Sequence, residues 1–212
     1  MKIAFSIIIP VYNRPEEIDE LLASILSQEY DEAFDVCIIE DGSSVKSDLI
    51  VDKYSSQLSI HYFEKENTGP GPSRNFGMQK ATGNYFIILD SDVILPKHYL
   101  ATVAKQIEHK YTDAFGGPDT AHPNFSVLQK AINYSMTSFL TTGGIRGKKS
   151  NVGKFQPRSF NMGLSKKAFE ITNGFSEMRA GEDIDLTFRL WNHGLETQLI
   201  DTAFVYHKRR NS

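Results

Sequence analysis

The sequence predicts a single α/β domain, with a mostly parallel central sheet and helices on both faces. Two observations carry this expectation. Through the first half of the chain, apolar runs that end at polar residues alternate with amphipathic segments, a βαβαβαβ rhythm. The 212 residues suit one domain of ordinary or slightly large size, and a 40% hydrophobic content is enough for a sizeable core.

The elements follow in order. Phe5 to Ile9 reads as a buried strand. Asn13 then offers an N-cap, with Pro15, Glu16 and Glu17 in the first helical turn and Ile18, Leu21, Leu22, Ile25 and Leu26 at helical spacing. Val36 to Ile39 is the second strand, ending in Glu40-Asp41-Gly42-Ser43-Ser44, and Val45 to Tyr54 is helical. Ile60 to Phe63 is the third strand, and Gly69-Pro70-Gly71-Pro72 opens a helix through Ala81 that carries Arg74 in its first turn. Tyr85 to Leu89 is the fourth strand, followed by a helix from about Lys97 to His109. After Phe115-Gly116-Gly117 the pattern changes. Phe125 to Leu140 reads as a helix, Thr141 to Pro157 as a glycine-rich loop, and Phe160 to Leu164 as a short strand. Asp183 to Trp191 reads as a helix introduced by Gly181-Glu182, and Thr197 to Ile200 and Ala203 to Tyr206 as closing strands. No linker separates the halves, so the expectation is one domain over residues 1–212.

Composition narrows the classes. A formal net charge of -3 does not suggest a nucleic-acid partner. The lone cysteine, Cys37, lies in the apolar segment Val36 to Ile39, where core packing is its expected role; this fits a reducing, cytoplasmic compartment. Ile7-Ile8-Ile9 meets Pro10 at once, too short for a signal peptide, and no apolar run approaches a membrane span.

The candidate chemistry sits at the strand ends. The fourth strand ends in Asp90-Ser91-Asp92, and alternate residues of an extended segment face one side, so both carboxylates can point together. In open α/β sheets that rim is where ligands bind. Two hard oxygen ligands there suit Mg²⁺ or Mn²⁺, which keep open positions for substrate phosphates. The plainer alternative is that the acids cap a helix started by Pro96. Tyr12, at the end of strand one, could flank a base or simply pack. Asp41 could accept hydrogen bonds from a base or ribose, or form a turn within Asp-Gly-Ser-Ser. Arg74 could face a ligand or solvent. Glu182, Asp183 and Asp185 form a second acidic cluster at a helix start. There the helix dipole stabilises carboxylates, and it also keeps one ionised as a general base must be.

Taken in order, Pro10-Val11-Tyr12-Asn13, Glu40-Asp41-Gly42-Ser43, Gly71-Pro72-Ser73-Arg74-Asn75-Phe76-Gly77, Ala81-Thr82-Gly83, Leu89-Asp90-Ser91-Asp92 and Gly181-Glu182-Asp183-Ile184-Asp185-Leu186 resemble the family-two inverting glycosyltransferases of the GT-A fold. The resemblance covers roughly Phe5 to Tyr206. It implies a nucleotide-sugar-binding front over residues 1–117 and an acceptor-side back over 118–212 of the same domain. It also implies roles. Pro10, Tyr12, Asp41 and Arg74 would line the nucleoside pocket, Asp90 would contact the ribose side, and Ser91 would belong to the same donor site. Asp92 would bind the divalent metal that bridges the donor diphosphate, Mn²⁺ or Mg²⁺, and His207 resembles the further metal ligand of some members. The plainer reading of His207 is a surface histidine beside Lys208, Arg209 and Arg210. Asp183 would deprotonate the acceptor hydroxyl, and Glu182 would help hold the acceptor or sugar. The implied reaction is one-step attack, with inversion, from a nucleotide-sugar donor (UDP-linked) to a glycan or lipid-linked acceptor in surface polysaccharide synthesis. Between Pro118 and Phe160 the chain departs from the general family pattern, so the resemblance does not name the acceptor.

Two rival classes share these features. A nucleotidyltransferase would carry a glycine-rich, basic phosphate loop after strand one, and Pro10-Val11-Tyr12-Asn13-Arg14-Pro15 is a poor version of it. A non-catalytic sugar-nucleotide or glycan-binding protein on the same fold would not need Asp92 and Asp183. One feature belongs to this chain. Thr120 to Phe169 holds no acidic residue but has Lys130, Arg146, Lys148, Lys149, Lys154, Arg158, Lys166 and Lys167. This is either a solvated basic surface or a site for anions, and with the basic end at Lys208 to Arg210 it fits peripheral association with the inner membrane face. The loop from Thr141 to Pro157 is expected to act as a lid. The end at Ser212, just after a strand, is abrupt, and the sequence leaves open a longer natural protein with a C-terminal membrane-associating segment.

Overall fold

The computed structural model describes residues 2–123, 125–126 and 154–208. In chain order these form β1 (Phe5–Val11), α1 (Pro15–Leu26), β2 (Asp35–Asp41), α2 (Asp48–Tyr54), β3 (Ile60–Lys65), α3 (Pro70–Lys80), β4 (Tyr85–Leu89), β5 (Val93–Ile94), α4 (Tyr99–His109), β6 (Ala114–Gly116), β7 (Asp119–Thr120), β8 (Asn161–Ser165), α5 (Lys166–Thr172), α6 (Glu182–Asn192), β9 (Thr197–Leu199) and β10 (Val205–His207).

The main sheet has the order β3-β2-β1-β4-β8-β6-β9. Its front four strands are parallel, with Ile7 of β1 opposite Val36 of β2 and Ile87 of β4. β8 returns antiparallel between β4 and β6, and β9 runs parallel to β6. Because β2 lies on one side of β1 and β4 on the other, the winding reverses there, and the carboxyl ends of β1 and β4 open a crevice.

Strand alternation divides the core in two. Ile7, Ile9, Val36, Ile38, Ile87 and Leu89 pack with Ile18, Leu21, Leu22 and Ile25 of α1 and with Leu100, Val103 and Ile107 of α4. Ile8, Cys37, Ile39, Phe86 and Ile88 face the other way, onto Met78 of α3, Ala168 of α5 and Leu186 and Leu190 of α6. Gly77 lets α3 lie close on this second face, since a Cβ there would run into Ile8 and Ile39. Cys37 is fully buried, as expected, and burial, reinforced by neighbouring Asp35, pushes its thiol up to about 12.

Several expectations need correction. Asn13 does not cap α1. It has a φ of 54°, α1 begins after Arg14 without a side-chain cap, and the Asn13 carboxamide instead accepts hydrogen bonds from the backbone of Ser44 and Val45. α4 starts at Tyr99 behind His98, also without a side-chain cap, so neither Asp90 nor Asp92 serves that purpose. α3 starts at Pro70, which places Arg74 beyond the first turn. β5, β6, β7 and α5 were not foreseen. The proposed helix from Phe125 to Leu140 lies outside the described residues except for 125–126, and the proposed lid lies outside them except for 154–157.

A second, small sheet has the order β5-β10-β7. β10 is antiparallel to β5 and parallel to β7, and this pairing brings His207 opposite Val93, just past the Asp90–Asp92 turn. Among the described residues, no helix is long and apolar enough to cross a membrane.

Candidate active site

A cleft of about 660 Å³ opens over the carboxyl ends of β1, β2 and β4. Its lining includes Pro10, Tyr12, Asp41, Arg74, Asp90, Ser91 and Asp92, all foreseen, together with Arg14, Asn67, Gly69 and Pro70. Glu182 joins this lining through Arg74 and His207 through Asp92, and Asp183 follows Glu182 in the first turn of α6.

The β1–β2 side of the cleft is built from two laced loops. Asn13 holds the loop after β2 through Ser44 and Val45, and its own N–H donates to Ser43 Oγ at 2.7 Å. Buried Glu40 accepts from Ser43 Oγ, from Ser47 N at 3.0 Å and from the Tyr62 hydroxyl at 2.9 Å. Tyr12 stands 53% exposed at the cleft edge, free to lie against a planar group. Asp41 is almost fully buried. It accepts from Lys65 Nζ at 2.6 Å and from the backbone N–H groups of Thr68 and Gly69, both at 2.9 Å. Burial alone would raise its carboxyl. The Lys65 ammonium, the Thr68 N–H and the Ser73 hydroxyl outweigh that and hold it below the ordinary carboxylate range. Asp41 is therefore ionised at neutral pH and ties the loop ahead of α3, and not its own Asp-Gly-Ser-Ser turn.

Arg74 joins the two acidic clusters. Its side chain is 4% exposed, and it donates to Asp90 Oδ1 and to Glu182 Oε1, each at 2.9 Å. The guanidinium also lies 5.2 Å from the centre of the Phe175 ring. Arg74 thus fastens the end of β4 to the first residue of α6 and holds the two at fixed spacing. Arg74→Met should cost about 3 kcal/mol of stability. This is the lower edge for removing one partner of a buried pair, because Asp90, at 35% side-chain exposure, recovers some hydration. A shift in the urea midpoint measures it, and an unchanged midpoint would show that the bridge adds nothing net.

Three groups that could hold a metal ion meet beside the turn after β4. Asp90, Asp92 and His207 each offer a ligand atom, all within 4.8 Å of one another. His207 Nε2 lies 3.1 Å from Asp92 Oδ1. Two carboxylate oxygens and one imidazole nitrogen, with room in the adjoining cleft, fit a divalent ion of the Mn²⁺ type. His207 is buried, not a surface histidine.

On α6, the three first-turn acids have different partners. Glu182 is spent on Arg74. Asp185 is paired with Arg189, whose hydrogen bonds hold its carboxyl below the usual range. Asp183 has the Arg158 Nε at 3.5 Å from Oδ2 and accepts from the Ile184 N–H at Oδ1. Gly181, at φ 80°, supplies the turn into this helix.

The sequence model of glycosyl transferase family 2 matches residues 6–171. The chain belongs to this family. The poly(ribitol-phosphate) β-N-acetylglucosaminyltransferase TarS of Staphylococcus aureus is 33% identical over 112 residues, 51% of this chain and 20% of TarS. The chondroitin synthase of Pasteurella multocida is 27% identical over 240 residues, 97% of this chain and 25% of the synthase. The chain therefore spans only a fifth to a quarter of these relatives. Glycosyltransferase GlyG of Streptococcus pneumoniae is 25% identical over 98% of this chain and 71% of GlyG. Among solved structures, S. aureus TarS 1-349 with UDP-GlcNAc superposes with a TM-score of 0.74 at 24% identity, covering 99% of this chain and 59% of that one. The mannosyltransferase PcManGT of Pyrobaculum calidifontis, with GDP-Man and Mn²⁺, gives 0.78 at 16% identity, covering 100% and 58%. The fold is accordingly the GT-A glycosyltransferase fold that the motifs implied.

Sequence reasoning missed several residues that build this family site. Lys65 completes the Asp41 cluster, and its signal was weak: one lysine at the end of a strand. In the sequence Glu17, one turn before Glu20 on α1, reads only as a first-turn helix acid, and Glu20 is not singled out. Glu17 accepts from Ser91 Oγ at 2.8 Å, and Glu20 accepts from Lys208 Nζ at 2.7 and 2.8 Å. The Lys208 backbone N–H in turn donates to the Asp92 carbonyl at 2.8 Å. Helix α1 thus holds the Asp90–Asp92 turn and the end of β10 together. Lys208, counted in the sequence as part of a basic patch, is committed to Glu20.

Proposed function

We propose that this chain is the transferase domain, residues 1–212, of a metal-dependent inverting glycosyltransferase that moves a sugar from a UDP-sugar to a glycan or lipid-linked acceptor in surface polysaccharide synthesis, at the cytoplasmic side of the membrane. The observation that carries this is the Arg74 bridge, which ties Asp90 of the Asp90–Asp92–His207 group to Glu182, the neighbour of Asp183 in sequence. Family membership and the nucleotide-sugar complexes of the related structures support the reading.

In this reading Tyr12 lies against the base, and Pro10 and Asp41 line its edge. Asp90 holds the ribose side. Asp92 and His207 would hold a divalent ion, which would supply stabilisation of the charge on the leaving diphosphate. Arg74 acts by keeping Asp90 and Glu182 in register. Glu182 helps to orient the acceptor or sugar, and Asp183 takes the proton from the acceptor hydroxyl as it attacks from the opposite face. A single displacement inverts the anomeric centre, and no side chain is needed as a nucleophile.

The test is turnover of a panel of nucleotide sugars with Mn²⁺ and glycan acceptors. The expected outcome is a nucleoside diphosphate and a product of inverted anomeric configuration. Release of nucleoside monophosphate with pyrophosphate would instead indicate a nucleotidyltransferase, and tight binding without turnover a binding protein.

A further inference from the structure

His207 has a second ring nitrogen that the proposed chemistry does not use. Its Nδ1 is buried and makes no hydrogen bond. Asp119 Oδ2, with a side chain only 2% exposed, lies 3.9 Å from it. The placement follows from the small sheet: β7 and β10 pair in parallel with Val205 opposite Asp119, so His207, two residues on, projects to the same side of the ladder as Asp119. The Phe160 ring backs the imidazole at 5.1 Å, which limits its swing.

We propose that Asp119 is a positioning residue of the metal centre, accepting the Nδ1–H of His207 and so presenting the Nε2 lone pair toward Asp90 and Asp92. This rests on the metal reading above. In the present geometry Nε2 is drawn onto Asp92 Oδ1 at 3.1 Å, as a proton donor would be. A ligating imidazole needs that nitrogen unprotonated, so the ring proton must sit on Nδ1, and a buried Nδ1–H needs an acceptor. Asp119 is the carboxylate within reach. A shift of about 1 Å brings Nδ1 and Oδ2 to normal hydrogen-bond distance.

The experiment is a Mn²⁺ titration, followed by electron paramagnetic resonance of the free ion, with and without UDP. It uses the unaltered chain, Asp119→Asn, Asp119→Leu, His207→Ala and the double variant Asp119→Leu/His207→Ala. Loss of the acceptor in Asp119→Leu should weaken Mn²⁺ binding about 10- to 100-fold, the usual cost of losing an outer-shell partner. Asp119→Asn keeps shape and an acceptor oxygen, so it should lose less. In the His207→Ala background, Asp119→Leu should have no further effect. Equal Mn²⁺ affinity in the unaltered chain and both Asp119 variants would overturn the proposal and leave the metal reading standing. A full additive loss in the His207→Ala background would also overturn it, because Asp119 would then act on the fold alone. If the unaltered chain binds no Mn²⁺ in either condition, the metal reading falls and this proposal with it.

Discussion

Asp92→Ala should lower UDP binding in Mn²⁺ to the level found in EDTA, with the fold left intact. The Asp92 side chain sits between its two candidate co-ligands, 3.1 Å from His207 Nε2 and in the same group as Asp90. Losing an outer-shell partner of a metal ligand costs about 10- to 100-fold in affinity, so losing the ligand itself should cost at least about 100-fold. The fold should survive because the turn is held by its backbone and neighbours. The Asp92 carbonyl accepts from Lys208 N, and Ser91 donates to Glu17. Neither bond involves the carboxylate removed. Calorimetry with UDP in Mn²⁺ and in EDTA makes the comparison, with a thermal melt as the fold control. Equal UDP affinity in EDTA and Mn²⁺ for the unaltered chain would refute the assignment.

The parts of the fold legible in the sequence are those where local pattern and tertiary burial agree. β1, β2 and β4 are apolar runs buried on both faces, β3 is a half-buried edge strand, and the structure places each within two residues of its expected limits. α1 and α6 follow from their apolar spacing. β5, β6 and β7 were not legible, because two or three residues carry no periodicity to read. The antiparallel insertion of β8 between β4 and β6 is a choice of tertiary pairing, which a short run such as Asn161–Ser165 does not announce.

The same distinction holds for the site. Asp90 and Asp92 stood out because a buried strand ended in them. Arg74 could be named only through motif likeness, and its pairing with Glu182 spans 108 positions of sequence. Asn13 shows the reverse case. Its sequence setting suits a helix cap, but a left-handed backbone turns it away from α1 and onto the β2 loop. Glu17, Glu20, Lys65 and Asp119 look like surface charges in the sequence. Each gains its place only when distant strands and helices meet.

Asp183→Asn should reduce the transfer rate by about two to four orders of magnitude, the usual range for losing a general base. Donor affinity should hardly change, because Asp183 contacts Arg158 and the Ile184 N–H and is not one of the candidate metal ligands. Asparagine keeps the shape and can still accept from the Ile184 N–H, as Asp183 Oδ1 does at 2.8 Å. The pairing with Arg158, at 3.5 Å and with the arginine 34% exposed, contributes at most about 1 kcal/mol, so stability should be nearly unchanged. The neighbouring acids serve as controls. Asp185→Asn removes only a pairing with Arg189 within the helix and should leave the rate near normal. Glu182→Gln weakens the Arg74 bridge, so it should lower stability as well as rate. Single-turnover rates at saturating donor separate these cases from changes in binding. Near-normal transfer by Asp183→Asn, with Glu182→Gln inactive but stably folded, would move the base to Glu182 and require the bridge to open during turnover.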